Sequence, residues 1–241
     1  MKSRAVFGGL VFGCAASLLA APRVLLPYRA MLLPPQSPAA FTADKGKFRI
    51  MQQGSEVGTE EFDIAPSGTL WVAHGEAVIR VPGSGMTRST GQLRLAADGS
   101  PVHYDWTAQA QKKSSGTVIF DSGTAKSSIT LEGKDPVHQD FKFTSPRIAV
   151  LDNNLYDQYE ILGRLYDWNA KGAQTFPVVI PQDMTPGSIT VESLGPKTAG
   201  GAQLDALQVR STDLEIIIYF DAKRRLTRLE VPAAMVVIVR Q

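Results

Sequence analysis

Two pairs of residues have types and spacing suited to chemistry: His103 with Asp105, and His138 with Asp140. On an extended chain, residues two apart point to the same face, so each pair presents an imidazole beside a carboxylate. If the strands carrying them were near neighbours, the four side chains could hold a divalent metal ion. The alternative is that each pair decorates the wet face of a strand whose other face is apolar. The third histidine, His74, stands alone in Ala73-His74-Gly75-Glu76. The sequence contains no G-x-S-x-G, H-E-x-x-H, phosphate-binding P-loop or dinucleotide G-x-G-x-x-G motif. Its one cysteine is Cys14, so residues 41–241 offer no thiol for catalysis, metal ligation or a disulfide. No cofactor and no enzymatic reaction is expected.

The elements that must position these residues are strands. From Phe48 onward the dominant period is two, and turn residues interrupt it every eight to twelve positions, as in an antiparallel sandwich, meander or barrel. The spacing predicts strands over 47–53, 57–64, 69–81, 87–96, 102–111, 117–121, 125–131 and 137–143. It predicts six more over 176–180, 188–193, 203–210, 214–221, 226–231 and 235–240. Val102, Tyr104 and Trp106 fall on one face of their strand, with His103, Asp105 and Thr107 on the other. Val137, Phe141 and Phe143 likewise oppose His138, Asp140 and Lys142. Alternation of this kind fits antiparallel strands with one solvated face.

Residues 151–166 break the rhythm. Leu151, Leu155, Tyr159, Leu162 and Tyr166 recur at helical spacing, with Asp152 or Asn153 placed to cap the N-terminus. The polar run Asp152-Asn153-Asn154 is explained by that capping. Tyr156, Tyr159, Tyr166 and Trp168 crowd this helix and its exit. Aromatic rings with polar tips suit the mouth of a ligand pocket, and suit a helix packed on a sheet equally well.

The N-terminus reads as an address. Lys2 and Arg4 precede an uncharged run from Ala5 to Ala21, the pattern of a secretory signal. The run is also just long enough for a short membrane anchor, which would leave the remainder outside the cytoplasm. Val11-Phe12-Gly13-Cys14 resembles a lipidation box, with Phe12 where a small residue is expected. Cleaved signal, retained anchor and lipidated Cys14 all stay open. The expected organisation is a signal or anchor over 1–26, a proline-rich linker over 27–45 and one β domain over 46–241. The formal charge of +2 owes its sign to the N-terminus. Lys2, Arg4, Arg23 and Arg29 are four of the 25 cations, and residues 1–40 hold no acid. That leaves 21 cations against 23 acids in residues 41–241. The domain therefore carries no footprint for nucleic acid.

Three stretches combine strand and turn chemistry: Phe48-Arg49-Ile50…Gly54…Val57-Gly58-Thr59-Glu60, Leu93-Arg94-Leu95…Asp98-Gly99-Ser100-Pro101-Val102, and Tyr219-Phe220-Asp221…Leu226-Thr227-Arg228-Leu229-Glu230. On these the layout resembles bacterial envelope proteins of unknown function whose fold is like that of the lipoprotein carriers LolA and LolB. The resemblance implies a long antiparallel sheet curled into a half-barrel, or an open barrel, with one internal helix in its mouth. It also implies that the concave face holds acyl chains or other apolar groups.

The chain is accordingly expected to be all-β and mainly antiparallel, exported to the periplasm or the outer face of the membrane. The expected ligand is a lipid or other apolar small molecule, with the N-terminal segment meeting the membrane. An envelope protein docking on the sheet is the alternative partner. A hydrolase or metal enzyme with a scattered site is the third reading.

Overall fold

The computed structural model describes residues 41–81, 85–170 and 172–241. The signal or anchor segment, Cys14 and most of the linker lie outside these residues. Fifteen strands form one sheet. The first eight are β1 (Asp44–Gln52), β2 (Ser55–Ser67), β3 (Leu70–Val81), β4 (Gly85–Leu95), β5 (Pro101–Gln109), β6 (Lys113–Asp121), β7 (Thr124–Leu131) and β8 (Val137–Lys142). After β9 (Ala149–Val150) comes α1 (Asp157–Leu165), the one α-helix among the described residues. The sheet then resumes with β10 (Gln174–Ile180), β11 (Thr185–Ala199), β12 (Ala202–Arg210), β13 (Glu215–Phe220), β14 (Leu226–Val231) and β15 (Val236–Arg240). Each segment with period-two alternation is a strand.

Tight turns make the meander. Gln53-Gly54 and Ser122-Gly123 adopt left-handed backbone at both central positions, matching the twist of the strands they join. The order across the sheet runs β8 to β1, then β15 back to β9. Pairing is antiparallel except between β9 and β10. Two meanders are thus joined at β1 and β15, where Phe48 faces Arg240 and Ile50 faces Ile238. The edges, β8 and β9, do not pair with each other, so the sheet is open.

The sheet curls around α1. The helix packs against both β3 and β14, which stand four places apart in the sheet, and the turn at 181–183 reaches β6. Ile161, Leu162 and Leu165 bury the apolar side of α1, joining a continuous core with inward residues such as Phe48, Ile64, Leu93, Val118, Ile218 and Leu229. Asp157 and Glu160 in the first turn and Arg164 in the last complement the helix dipole.

The helix is shorter than its spacing predicts. Leu151 and Leu155 are buried, but on an irregular strap, residues 151–156, with a turn at 153–154, that precedes α1. Asn154 in this strap has φ 64°, which a right-handed helix does not accommodate. β1 begins at Asp44, and Phe41 is buried against Trp71 and beneath the Arg164 guanidinium.

Candidate functional site

The strap is held at both ends by buried carboxyl groups. At its start, Asp152 Oδ1 accepts the backbone N–H groups of Asn153 and Gln182, each at 3.0 Å. Its Oδ2 accepts the hydroxyl of Tyr104 at 2.9 Å. Tyr104 points inward from β5, fully buried, and receives a second hydrogen bond from Gln158 Nε2 at 3.1 Å. Burial pushes the Asp152 carboxyl up to about 6, against the pull of these donors. Burial and the Asp152 charge together hold the Tyr104 hydroxyl well above its ordinary range.

At the strap's end, Glu60 caps α1 from another part of the chain. Tyr156, at the N-cap position, makes no side-chain cap of its own. Instead Glu60 Oε2 accepts the N–H of Tyr156 at 2.8 Å, and Oε1 accepts that of Asp157 at 3.0 Å. These are two of the donors every helix start leaves free, and an anion there is also favoured by the dipole. Glu60 and Asp157 are both buried, and burial raises both carboxyls, Glu60 further because it faces the Asp157 charge. Asp157 Oδ1 has no other hydrogen-bond partner. A proton held on either carboxyl would avoid two adjacent buried charges. Gly75 of β3 makes the room, because a Cβ there would sit 2.8 Å from Asp157 Oδ1.

A third cluster ties α1 to the seam of the sheet. Arg240 of β15 donates to Asp44 of β1 at 2.7 Å and to Glu160 of α1 at 3.4 Å. Arg164 pairs with Glu160 as well. None of these four side chains is more than 13% exposed. Both guanidinium groups are thus engaged by carboxyl oxygens inside the cluster. Burial still pushes Glu160 up to about 8, with the Asp44 carboxyl adding to the rise and Arg164 opposing it.

Beside the strap lies a half-open cavity of about 420 Å³. Its walls are apolar: Leu151 and Tyr156 of the strap, Tyr159 of α1, Val178 and Ile180 of β10, Ile189 of β11, Val209 of β12 and Ile216 of β13. Polar side chains line it too: Asn153, Thr185, Ser188 and Ser211–Asp213 are exposed, Asn154 is half-buried, and Asp152 is buried. A volume of this size, with apolar walls and a few polar groups at one end, is the usual form of a small-molecule site. The rim and walls carry no histidine, lysine or arginine.

Of the four aromatic residues near the helix, Tyr156 and Tyr159 line this cavity, whereas Tyr166 and Trp168 do not. Tyr166 belongs to the core. Trp168 sits edge-on to Tyr166 at 5.3 Å and to Phe220 at 5.5 Å, and donates from Nε1 to the Gly163 carbonyl at 2.8 Å. The Arg224 guanidinium covers its face at 3.8 Å. These contacts plug the far end of α1. Gly163 permits them, since Phe220 occupies the space of a Cβ there.

The two His-x-Asp pairs are not brought together. His103 pairs across to Ile119, Lys126 and then Asp140, three strands away, a separation of about 14 Å at ~4.8 Å per strand. The near-neighbour geometry that a joint metal site needs is therefore missing. His103 Nε2 lies 2.9 Å from its own partner Asp105, and Thr117 also donates to Asp105 at 2.9 Å. His138 and Asp140 are exposed on the edge strand β8. Among the described residues no group of three or more His, Cys, Asp or Glu is arranged to hold a metal ion.

The residues that organise the site, Glu60, Tyr104 and Asp152, escaped the motif search. For Glu60 a signal was present: it shares the inward parity of Phe62 and Ile64 on β2, where a charge needs a buried partner.

Comparison with known proteins places the architecture. No family model and no curated protein matches the chain. Among solved structures, it is similar to a β-barrel-like protein of a domain of unknown function, DUF1849, from Brucella abortus. That likeness has a TM-score of 0.57 at 10% identity, covering 85% of this chain and 97% of that one. The fold is barrel-like. A DUF1089 family protein from Pseudomonas aeruginosa gives a TM-score of 0.47 at 9% identity, covering 73% of this chain and 90% of that one. At such identities the first of these shares a fold with this chain and nothing finer.

Proposed function

We propose that this domain is an exported binding module that holds an amphipathic, largely apolar ligand in the cavity beside the strap. The observation that carries the reading is the cavity itself, walled by apolar side chains from the strap, α1 and four strands, with mostly exposed polar side chains beside them. Each methylene transferred from water to such walls contributes about 0.8 kcal/mol. A short acyl or alkyl chain therefore suffices for useful affinity without any charged anchor. The N-terminal run from Lys2 to Ala21 supports a location outside the cytoplasm. The resemblance of its strand and turn layout to the LolA and LolB half-barrels supports an apolar cargo. No chemical step is assigned to the site.

The test is native mass spectrometry of the full chain, extracted mildly from its own membrane fraction. A reproducible adduct of lipid size is expected, and its loss in Ser188→Trp, which fills the rim from an exposed position, is expected with it. A clean unliganded mass, or an adduct indifferent to Ser188→Trp, overturns the reading. The interaction-module reading keeps one specific support: β8 is an unpaired edge whose Val137 is 54% exposed, a surface suited to strand addition. It predicts a co-purifying protein released by proline substitution in β8.

A further inference from the structure

We infer that the ligand carries a cationic head, an ammonium on a single apolar chain, and that the cavity rejects carboxylate and phosphate heads. This rests on the binding reading above and concerns which amphiphile the same cavity accepts. The charged residues lining it are Asp152 and Asp213, and no cation accompanies them. Protein sites for anionic heads use guanidinium or ammonium groups, or the free N–H groups of a helix start. Both resources exist nearby and both are already taken. The first N–H groups of α1, directly behind the Tyr156 wall, are occupied by the Glu60 carboxyl. Arg164 and Arg240 are engaged by Glu160 and Asp44, and Arg147 donates to the Leu165 carbonyl at the far end of α1; none of the three lines the cavity.

An anion entering the cavity would find no donor of positive charge and two carboxylates at the rim. An ammonium would find those carboxylates together with the side-chain oxygens of Asn153, Asn154 and Ser211 as acceptors. Asp152 is already saturated by its donors, so its part is electrostatic. Asp213, exposed at the rim, is free to reach the head directly. Like-charge exclusion of this kind discriminates between ligands whose tails are identical.

The experiment is displacement of a neutral fluorescent probe, N-phenyl-1-naphthylamine, from the intact protein at low salt by three probes with one tail. These are dodecylamine, dodecanol and laurate, each kept below its micelle concentration. Dodecylamine is expected to displace at least about tenfold more tightly than laurate, with dodecanol between them. The gap is expected to narrow in Asp213→Asn and to close in the Asp152→Asn/Asp213→Asn double variant, whose folding is checked by circular dichroism. The single variant, on an exposed loop, keeps the test valid if the double one does not fold. Equal displacement by all three overturns the charge inference while the binding reading stands. Laurate as the tightest ligand, or a gap untouched by Asp213→Asn, overturns it too. Failure of the neutral probe and dodecanol to bind at all removes the binding reading and this inference together.

Discussion

Gly75 and Asp157 meet without room for an intervening side chain: a Cβ on Gly75 would lie 2.8 Å from Asp157 Oδ1 and 3.1 Å from Glu60 Oε1. The strand must therefore stay bare where two buried carboxyl groups lie beside it. Gly75→Ala is expected to destabilise the domain by about 1–3 kcal/mol, the usual range for forcing a methyl into a packed interior. Gly187→Ala is the control, since its nearest neighbour would be Val178 Cγ1 at 3.3 Å and its backbone is extended. Urea denaturation of both variants checks the contrast.

Glu60 is the acceptor for two backbone donors that have no other buried partner. Glu60→Ala leaves both N–H groups unsatisfied and is expected to cost about 2–3 kcal/mol. Glu60→Gln keeps one acceptor oxygen and is expected to cost about half as much. Hydrogen exchange at the amides of Tyr156 and Asp157 separates local loosening of the cap from global loss, because those two amides lose protection first.

The raised carboxyls set the direction of the pH response. Asp152 moves from an ordinary 3.8 to about 6 on folding, so the native state holds its proton more tightly. That contribution is complete below about pH 3.8 and is lost as pH rises through 6. Asp44, Asp105 and Asp221 are shifted downward by their cationic and N–H partners, and oppose it on the acid side. The unfolding free energy is expected to be highest in mildly acidic solution. Its decline between pH 4 and 6 is expected to shrink by about 2–3 kcal/mol in Asp152→Asn. Denaturant titrations at pH 4, 5, 6 and 7 measure it.

The two His-x-Asp pairs act separately because two strands lie between them. His103→Ala and His138→Ala are expected to change stability additively, within about 0.5 kcal/mol. Added zinc is expected to leave the melting temperature of wild type and of both variants unchanged. A zinc-dependent rise abolished by either substitution would contradict the observed strand order.

What was legible in the sequence follows from period. A two-residue alternation with glycine turns is a local signal, and it located the strands from β1 to β15 with one omission. Ala149–Val150 is too short to show a period, and its parallel pairing with β10 depends on a distant segment. The helix was half legible. Leu151 and Leu155 have helical spacing, yet Asp152 and Glu60 draw their neighbourhood into a strap, and both carboxyls act across the fold. Tyr156 and Tyr159 shared a helical pattern with Tyr166 and Trp168. Only the curl of the sheet decided which pair would line a cavity and which would seal the core. His103 and His138 looked equivalent because sequence does not encode how many strands separate two hairpins.

The seam between β1 and β15 imposes an order in time. Among the described strands β1 comes first along the chain, and its partner on one side, Val236–Arg240, comes last. Until those residues arrive, β1 offers an unpaired edge, the kind of surface on which chains aggregate. Arg240, which locks Asp44 and Glu160 together, arrives with them. If the chain is threaded through an export channel from its N-terminal end, the sheet completes only after β15 has crossed. Premature closure inside the cell would then be avoided by topology alone. The long sequence separation, which slows folding in general, would serve here as a delay that keeps the chain transportable.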